Sequence, residues 1–158
     1  SMDYQRYPWL PTYDTLSYAH LTLRLLQALR DAGYRVIYKD HPDTFVEAAT
    51  LFRGRADEIL TINFTECLDR ADCLFYVTPY STTLGYGLLS RIPAVIIDNQ
   101  ACSYWHPEIL ALLRRRAILF PVAPDAHGIL QFDSARLKET VQSALALTDT
   151  ALVEKWAL

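Results

Sequence analysis

Residues 72–98 contain two short apolar runs with a polar break and a helical pattern between them. The first run, 73–77, precedes leucines at helical spacing, and the second run, 94–97, begins directly after Pro93. This succession of strand, loop, helix and strand predicts a βαβ unit. Because both runs are apolar throughout, the unit suits a parallel sheet that is covered by helices on both faces.

Three hydroxyl side chains lie where the first strand of this unit passes into the helix: Ser81, Thr82 and Thr83. In a βαβ unit their hydroxyls and the first backbone N–H groups of the helix point to one place, which favours an anion such as phosphate. Ser81 is also well suited to act only as the helix cap. A single serine would favour the cap, but three hydroxyl residues after the Pro79-Tyr80 turn leave both interpretations open.

Length, charge and apolar runs limit the class of protein. A chain of 158 residues predicts one domain. A net charge of −3 without a basic stripe disfavours nucleic-acid binding. No apolar run reaches transmembrane length and no signal peptide is recognisable, so we expect a cytoplasmic location, or one peripheral to the inner face of the membrane. Cys67, Cys73 and Cys102 lack metal-binding spacing and are expected to be reduced thiols, and neither a metal nor a cofactor is predicted.

The chain divides into an arm, one domain and a tail. Residues 1–13 are predicted to form an irregular arm, whose first two residues resemble the remnant of an expression tag, and residues 148–158 form the tail. Between them, 14–147 is the predicted domain. Periodicity and turn residues predict strands at 34–38, 58–62, 73–77, 94–97 and 117–122. The predicted helices are at 14–32, 45–52, 65–71, after Ser81, from Pro107 to Arg116, and at 133–147.

Strands that alternate with helices predict a three-layer, Rossmann-like α/β fold with a parallel sheet of about five strands. Right-handed crossovers make 2-1-3-4-5, numbered along the chain, the simplest strand order. In that order the strand at 34–38 pairs with the strand at 73–77. The polar loops 39–44 and 78–83 then meet at the carboxyl edge of the sheet, where such folds bind ligands.

His41 lies in the first of these loops, between Lys39 and Pro42. An imidazole at this edge can donate a hydrogen bond to a phosphate oxygen or move a proton near neutral pH, and Lys39 adds positive charge. A solvent-facing histidine without a role is the alternative. The sequence has no Gly-rich phosphate loop and no Gly-x-Ser-x-Gly elbow, so these classes of active site are disfavoured.

The order and spacing of four short motifs resemble the nucleotide-binding, C-terminal half of GT-B transferases. The motifs are the loop 39–42, the apolar strand after Asp72, the triplet 80–82 and Pro93. The most similar families are CDP-glycerol glycerophosphotransferases, capsule-polysaccharide transferases and bacterial sialyltransferases with His-Pro and Ser/Thr motifs. The resemblance covers about residues 14–122. It implies transfer of a glycosyl or polyol-phosphate group in the synthesis of bacterial surface polysaccharides.

The resemblance also implies roles for individual residues. In such families the histidine and the hydroxyl residues hold the phosphate of a CMP-, CDP- or UDP-linked donor. By resemblance, the donor site here comprises Lys39, His41, Tyr80, Ser81, Thr82 and Thr83, with His41 as the best catalytic candidate. A complete enzyme of this class has a second domain that binds the acceptor, so we expect the single domain to be inactive alone.

Similar proteins have a strand that precedes the first helix and lies between the strands at 34–38 and 73–77. Here the arm 3–13 contains Pro8 and Pro11, which cannot donate to a central ladder. We therefore expect the two strands to pair directly. The aromatic residues of the arm, Tyr4, Tyr7 and Trp9, are expected to pack beside the loops of the carboxyl edge.

Two other classes of function fit part of the pattern. The segment from Asp72 to Pro93 also resembles the nucleoside deoxyribosyltransferase fold, but no acid lies between Ser81 and Pro93 to serve as the nucleophile of that family. A non-catalytic α/β interaction module is the remaining alternative.

The chain also departs from the GT-B pattern at one position. In many GT-B relatives an acid that binds the ribose hydroxyls stands where this chain has Tyr86.

Overall fold

The computed structural model describes residues 15–40, 50–78, 81–99, 105–147 and 149. In these ranges the chain has the predicted α/β class. Its helices are α1 (Thr15–Asp31), α2 (Thr82–Leu89), α3 (Pro107–Arg116) and α4 (Leu137–Leu145), with 3₁₀ helices at Phe64–Arg70 and Ser134–Arg136. Its strands are β1 (Ile37–Lys39), β2 (Glu58–Leu60), β3 (Leu74–Tyr76), β4 (Ala94–Asn99), β5 (Ala117–Pro124) and β6 (Leu130–Gln131). None of the helices in the described ranges combines the length and the apolar character needed to cross a bilayer.

Helix α1 follows from the spacing of its apolar residues. Leu21, Leu25 and Leu29 recur every fourth residue, and all three are buried. One stripe of the helix therefore faces the core. Gly33 follows the helix with a φ of 90°, a conformation that glycine adopts without steric cost.

The strands form two sheets in the described part of the chain. Strands β1 and β2 pair in parallel, with Tyr38 opposite Ile59. Strands β3, β4 and β5 also pair in parallel, and β6 joins β5 antiparallel. The parallel pairs agree with the predicted neighbours 2-1 and 3-4-5. The sequence does not predict β6, because a strand of 2 residues is too short to show alternation.

Alternate residues of the larger sheet face opposite layers. Phe75, Val95 and Phe120 pack in one apolar cluster with α1 and α4. Tyr76 and Ile96, which follow the first two of these residues along their strands, pack in a second cluster with α2 and α3. Because side chains alternate across a strand, helices cover both faces of this sheet.

The predicted direct pairing of the strands at 34–38 and 73–77 is wrong for the described residues. Within them, β1 pairs with β2 alone, and no backbone hydrogen bond joins β1 to β3. The prediction was based on the simplest order with right-handed crossovers and on Pro8 and Pro11, which disfavour a central strand in the arm. Instead, the 3₁₀ helix Phe64–Arg70 spans the two strand ends, with Cys67 in electrostatic range of both Lys39 and Tyr76. The two ends therefore share one edge of the domain without pairing.

Three predicted segments lie wholly or mostly outside the described residues. They are the arm 1–13, most of the helix at 45–52, and the tail 148–158 apart from Asp149. Of the helix, residues 50–52 are described, and they are helical as predicted.

The C-terminal helix differs from its predicted range of 133–147. The Asp133 side chain accepts a hydrogen bond from the backbone N–H of Ala135 at 3.0 Å and caps a 3₁₀ turn rather than the α-helix. Because this cap tightens the first turn, the regular helix α4 begins at Leu137 and ends at Leu145.

Candidate functional site

The junction between β3 and α2 has the geometry of a capped helix start at the carboxyl edge of a parallel sheet. Ser81 is the N-cap, with extended backbone, and its hydroxyl accepts a hydrogen bond from the Thr83 backbone N–H at 3.3 Å. The hydroxyls of Ser81 and Thr83 also hydrogen-bond to each other. Both side chains are half-buried. The structure therefore has the cap that the sequence predicts, and it directs two hydroxyls to the start of the helix.

Tyr76 fixes the first turn of α2 against the sheet. Its side chain is buried, and its hydroxyl donates to the carbonyl of Thr83 at 3.1 Å. A Cβ at Gly87 would overlap the Tyr76 hydroxyl and would lie 2.8 Å from Cζ of the ring. Position 87 therefore has to be glycine for α2 to lie this close to β3. Burial raises the pKa of Tyr76 and keeps its hydroxyl protonated as a donor.

Arg116 holds the other end of α2. Its guanidinium is buried and donates to the carbonyls of Ser90 and Ile92, the latter at 2.8 Å. These carbonyls belong to the turn that leads from α2 into β4. Burial lowers the pKa of Arg116, and the nearby Tyr76 opposes that shift. Arg116 thus stabilises the C-terminal end of α2, and Tyr76 stabilises its first turn.

The carboxyl end of β1 supplies the second set of polar groups. The backbone N–H of Asp40 donates to the Leu60 carbonyl at 2.9 Å, and Asp40 is buried. The Lys39 ammonium donates to the Asp40 carbonyl, which turns the cation back over the end of its own strand. Burial, together with the Asp40 carboxylate, raises the pKa of Tyr38 to about 12.

The structure brings the ends of β1 and β3 to one edge of the domain. Phe64 and Tyr76 pack with their ring centroids 6.3 Å apart. The charge of Lys39 lowers the pKa of the Cys67 thiol, although burial outweighs it and the net shift is upward. The 3₁₀ helix that carries Phe64 and Cys67 therefore contacts the end of β3 and lies within electrostatic range of Lys39 at the end of β1.

Of the residues that the sequence assigns to a donor site, the structure describes Lys39, Ser81 and Thr83 with their side chains, and Thr82 as the first residue of α2. His41 and Tyr80 lie outside the described residues. Asp40 directly precedes His41, so the histidine follows the strand end that carries Lys39.

Sequence reasoning did not single out Tyr76, Gly87, Arg116 or Asn99 for this region. Asn99 is buried at the carboxyl end of β4, the strand beside β3. The available signal was the pair of glycines at 85 and 87 inside a helical pattern, because glycine destabilises a helix interior unless close packing requires it. A buried arginine at the end of a run of three arginines gives no such signal.

A shallow groove of about 440 Å³ lies at the carboxyl end of β5, away from this junction. Pro121, Pro124 and Phe132 are among the residues that line it. It is two strands away from β3, so it does not join the polar groups of the candidate site. Among the described residues, no group of three or more side chains is arranged to hold a metal ion.

Comparison with protein-family models, with curated proteins and with solved structures finds no match for this chain. Its function is therefore inferred from the geometry of the carboxyl edge and from the motifs in the sequence.

Proposed function

We propose that the chain is the donor-nucleotide-binding domain of a GT-B-type transferase, which transfers a glycosyl or polyol-phosphate group from a CMP-, CDP- or UDP-linked donor. The observation that carries the proposal is the start of α2, where Ser81 and Thr83 stand at the carboxyl end of a parallel strand. A phosphate at this position accepts hydrogen bonds from the hydroxyls and from the first N–H groups of the helix. The same edge carries Lys39 at the end of β1.

Binding would rearrange the hydroxyls of the cap. In the described structure, the Ser81 and Thr83 hydroxyls bond to each other, so one of them has to turn towards the phosphate oxygen. A hydroxyl rotates at little cost, and a charge-assisted hydrogen bond is stronger than the neutral bond that it replaces. Lys39 would exchange its bond to the Asp40 carbonyl for the phosphate in the same way.

His41 has the catalytic role in this proposal, as in the families that the sequence resembles. It directly follows Asp40 in the sequence. Its imidazolium would bind the departing phosphate and neutralise the charge that develops there. Tyr80 and Thr82 complete the assigned donor site. No cofactor or metal enters the proposal.

Recognition of the ribose is a point where this chain differs from the related families. Tyr86 stands where they have an acid, and 56% of its side chain is exposed on α2. A tyrosine can stack on a base or accept one hydrogen bond, but it cannot hold two ribose hydroxyls as a carboxylate does. We therefore propose weaker selection for the ribose than for the phosphate.

The proposal takes the five parallel strands to be one Rossmann-like domain, located in the cytoplasm or at the inner face of the membrane. Their spatial order is 2-1 followed by 3-4-5, with β1 and β3 next to each other but not paired. The acceptor would be bound by a separate domain. An isolated donor domain lacks those contacts, so we expect an affinity for the free nucleotide of about 1 mM.

Chemical-shift mapping by NMR tests the proposal with CMP, CDP, UDP and AMP as probes. We expect shifts at Lys39, Ser81 and Thr83 that are larger for the pyrimidine nucleotides than for AMP. Ser143→Ala, at an exposed hydroxyl of α4, is the control and should respond as the original protein does. Absent or equal responses to all four nucleotides contradict the proposal.

One observation favours a second candidate function, a non-catalytic interaction module. The Ser81 and Thr83 hydroxyls satisfy each other as a cap, so the helix start is stable without a ligand. A module of this kind would give no nucleotide response in the NMR experiment. The nucleoside deoxyribosyltransferase alternative is less well supported, because α2 has no acidic residue to act as a nucleophile.

A further inference from the structure

Strand β1 has a second edge that is ready to pair. The Asp40 N–H donates to Leu60 at 2.9 Å, and the Val36 carbonyl accepts from Glu58 at 3.4 Å, so even-numbered residues bond to β2. In a parallel strand, successive residues direct their backbone groups to opposite sides. The N–H and C=O groups of Ile37 and Lys39 therefore point away from β2, and no backbone bond to them is found in the described part of the chain.

Strand β3 has a matching edge. The Leu74 N–H donates to the Pro93 carbonyl at 2.8 Å, and Leu74 and Tyr76 are in register with Ala94 and Ile96 of β4. Because successive residues of a strand direct their backbone groups to opposite sides, the N–H and C=O groups of Phe75 point away from β4. Across the described ranges, no backbone partner is found for this edge either.

Strands β1 and β3 pack against the same apolar cluster, and their carboxyl ends lie on the same side of it. Tyr38 of β1 and Phe75 of β3 pack against one apolar cluster with α1. On the other face, Cys67 is in electrostatic range of Lys39 and Tyr76, which end β1 and β3. At the opposite end of the same 3₁₀ helix, Arg70 forms an ion pair of 2.8 Å with Glu58, the first residue of β2. The helix therefore runs from the carboxyl ends of the strands to their amino ends.

The strands that carry these two edges thus have apolar layers on both faces. Helix α1 and its leucines lie on one side, and Phe64, Cys67 and Leu68 lie on the other. Backbone groups at such a place lose much of their contact with water, which costs about 1–3 kcal/mol for each group that stays unpaired. A sheet position with two free edges and two covered faces is the environment of a central strand.

We propose that this gap binds one extended apolar segment, which runs parallel to both β1 and β3 and joins the two sheets into one. Strands β1 and β3 each have 3 residues, so a segment of about four residues spans both ladders. Covered faces select apolar, β-branched side chains, and the ladder excludes proline.

Residues 1–14 do not have the chemistry of this segment. Pro8 and Pro11 remove two donors from the second half. The proline-free half carries Asp3, Gln5 and Arg6, which would be buried between the two layers at high cost. The tail offers only Ala151 to Val153 before Glu154 and Lys155, one residue short of the segment. We therefore take the occupant to be a strand of another chain, held by main-chain hydrogen bonds in the manner of β-augmentation.

Amide hydrogen exchange with a peptide in trans tests this proposal. The probe is the synthetic peptide Lys-Val-Ile-Val-Ile-Lys, and the matched control is Lys-Val-Pro-Val-Pro-Lys, which keeps the charge but cannot donate to the ladder. We expect the first peptide to slow exchange of the Ile37, Lys39 and Phe75 amides by about 10-fold or more, as for newly formed backbone bonds. The Gln131 amide of the edge strand β6 should be unchanged, and the control peptide should have no effect.

Three outcomes would overturn the proposal. Unchanged exchange with the probe peptide would mean that the gap does not accept a strand. Strong protection of Ile37 and Phe75 in the peptide-free monomer would mean that a segment of the chain itself, such as 1–14 or 148–158, already fills the gap. Protection that appears only at high protein concentration, together with a dimer in sedimentation, would identify a second copy of the chain as the occupant.

Discussion

Tyr76 and Gly87 meet across the interface of β3 and α2 with no room for a further carbon atom. The Tyr76 hydroxyl passes the α-carbon of Gly87 and donates to the carbonyl of Thr83, one turn earlier in the helix. The absence of a side chain at position 87 thus sets how closely α2 approaches the sheet. Since Ser81 and Thr83 form the first turn of that helix, the same contact positions the candidate donor site.

We expect Gly87→Ala to destabilise the protein, although alanine is the better helix former. Overpacking a tight interface costs about 1–3 kcal/mol, whereas the gain in helix propensity is about 1 kcal/mol. Gly85→Ala is the matched control, because a Cβ there meets nothing within 4 Å. That variant should be stabilised by up to about 1 kcal/mol. Urea denaturation of both variants measures the difference in the free energy of unfolding.

The double variant Gly87→Ala/Tyr76→Phe separates the hydroxyl from the ring. Loss of the hydroxyl removes the closest overlap, so we expect the double variant to recover part of the stability that Gly87→Ala loses. The Cζ atom would still be 2.8 Å from the new Cβ, which prevents full recovery. Equal stability of the Gly85→Ala and Gly87→Ala variants would contradict the close approach.

Arg116→Met should destabilise the protein by about 2–4 kcal/mol, because the carbonyls of Ser90 and Ile92 lose a charged donor inside the protein. Arg114→Gln, at an exposed position of the same helix, is the control and should change the free energy of unfolding by less than about 0.5 kcal/mol. Thermal and urea denaturation measure both. Similar losses in the two variants would mean that the buried guanidinium has no special role.

The stability of the protein should decline at alkaline pH in a way that depends on Cys73. Burial and the Asp72 carboxylate raise the pKa of this thiol from 9.0 to about 11. A group with a raised pKa in the folded state stabilises the fold fully below the unfolded pKa, and this contribution is lost as the pH rises through the folded pKa. The loss therefore falls between about pH 9 and pH 11, and Cys73→Ala should make the pH profile flatter there.

Titration of the thiolate absorbance checks the cause of that shift. Asp72→Asn removes the second contribution, so the pKa of Cys73 should fall while remaining above 9.0 because burial is the larger effect. A Cys73 thiol that titrates at its ordinary pKa in the folded protein would contradict the prediction.

The βαβ unit could be predicted from sequence because its signals are local. The apolar run at 73–77 contains β3, and the run at 94–97 forms the first four residues of β4, which extends to Asn99. Ser81 caps α2, as its position after the strand indicates. Pro107 at the start of α3 is a signal of the same kind. Each of these features depends on side-chain period or on backbone chemistry within a few residues.

Features that depend on the contact of two segments distant in sequence could not be predicted from local signals. The close approach of Gly87 to Tyr76 requires knowledge of how far α2 lies from the sheet. The separation of β1 from β3 depends on how two segments distant in sequence are placed, and the short helix predicted at 65–71 gives no indication of that placement. Asn99 and Arg116 have ordinary sequence surroundings, and only the fold buries them.

Substitution of Ser81 separates the cap from the donor site. Ser81→Ala removes the bond to the Thr83 N–H and should cost about 1 kcal/mol of stability, the usual value for an N-cap. Ser81→Asp keeps a good cap and places a negative charge at the positive end of the helix, so its stability should equal or exceed that of the original protein. The two variants therefore differ in stability and share the loss of the hydroxyl.

Nucleotide binding responds differently to these two changes. A carboxylate at position 81 repels a phosphate at the start of α2, so Ser81→Asp should abolish the NMR response to CMP and CDP although the fold is intact. Ser81→Ala should weaken that response by about 10-fold, which corresponds to one lost hydrogen bond to a charged group. Thr65→Ala, at an exposed hydroxyl on the neighbouring 3₁₀ helix, is the control for binding. If Ser81→Asp binds CMP as well as the original protein does, the phosphate does not lie at this helix, and Ser81 serves only as a cap.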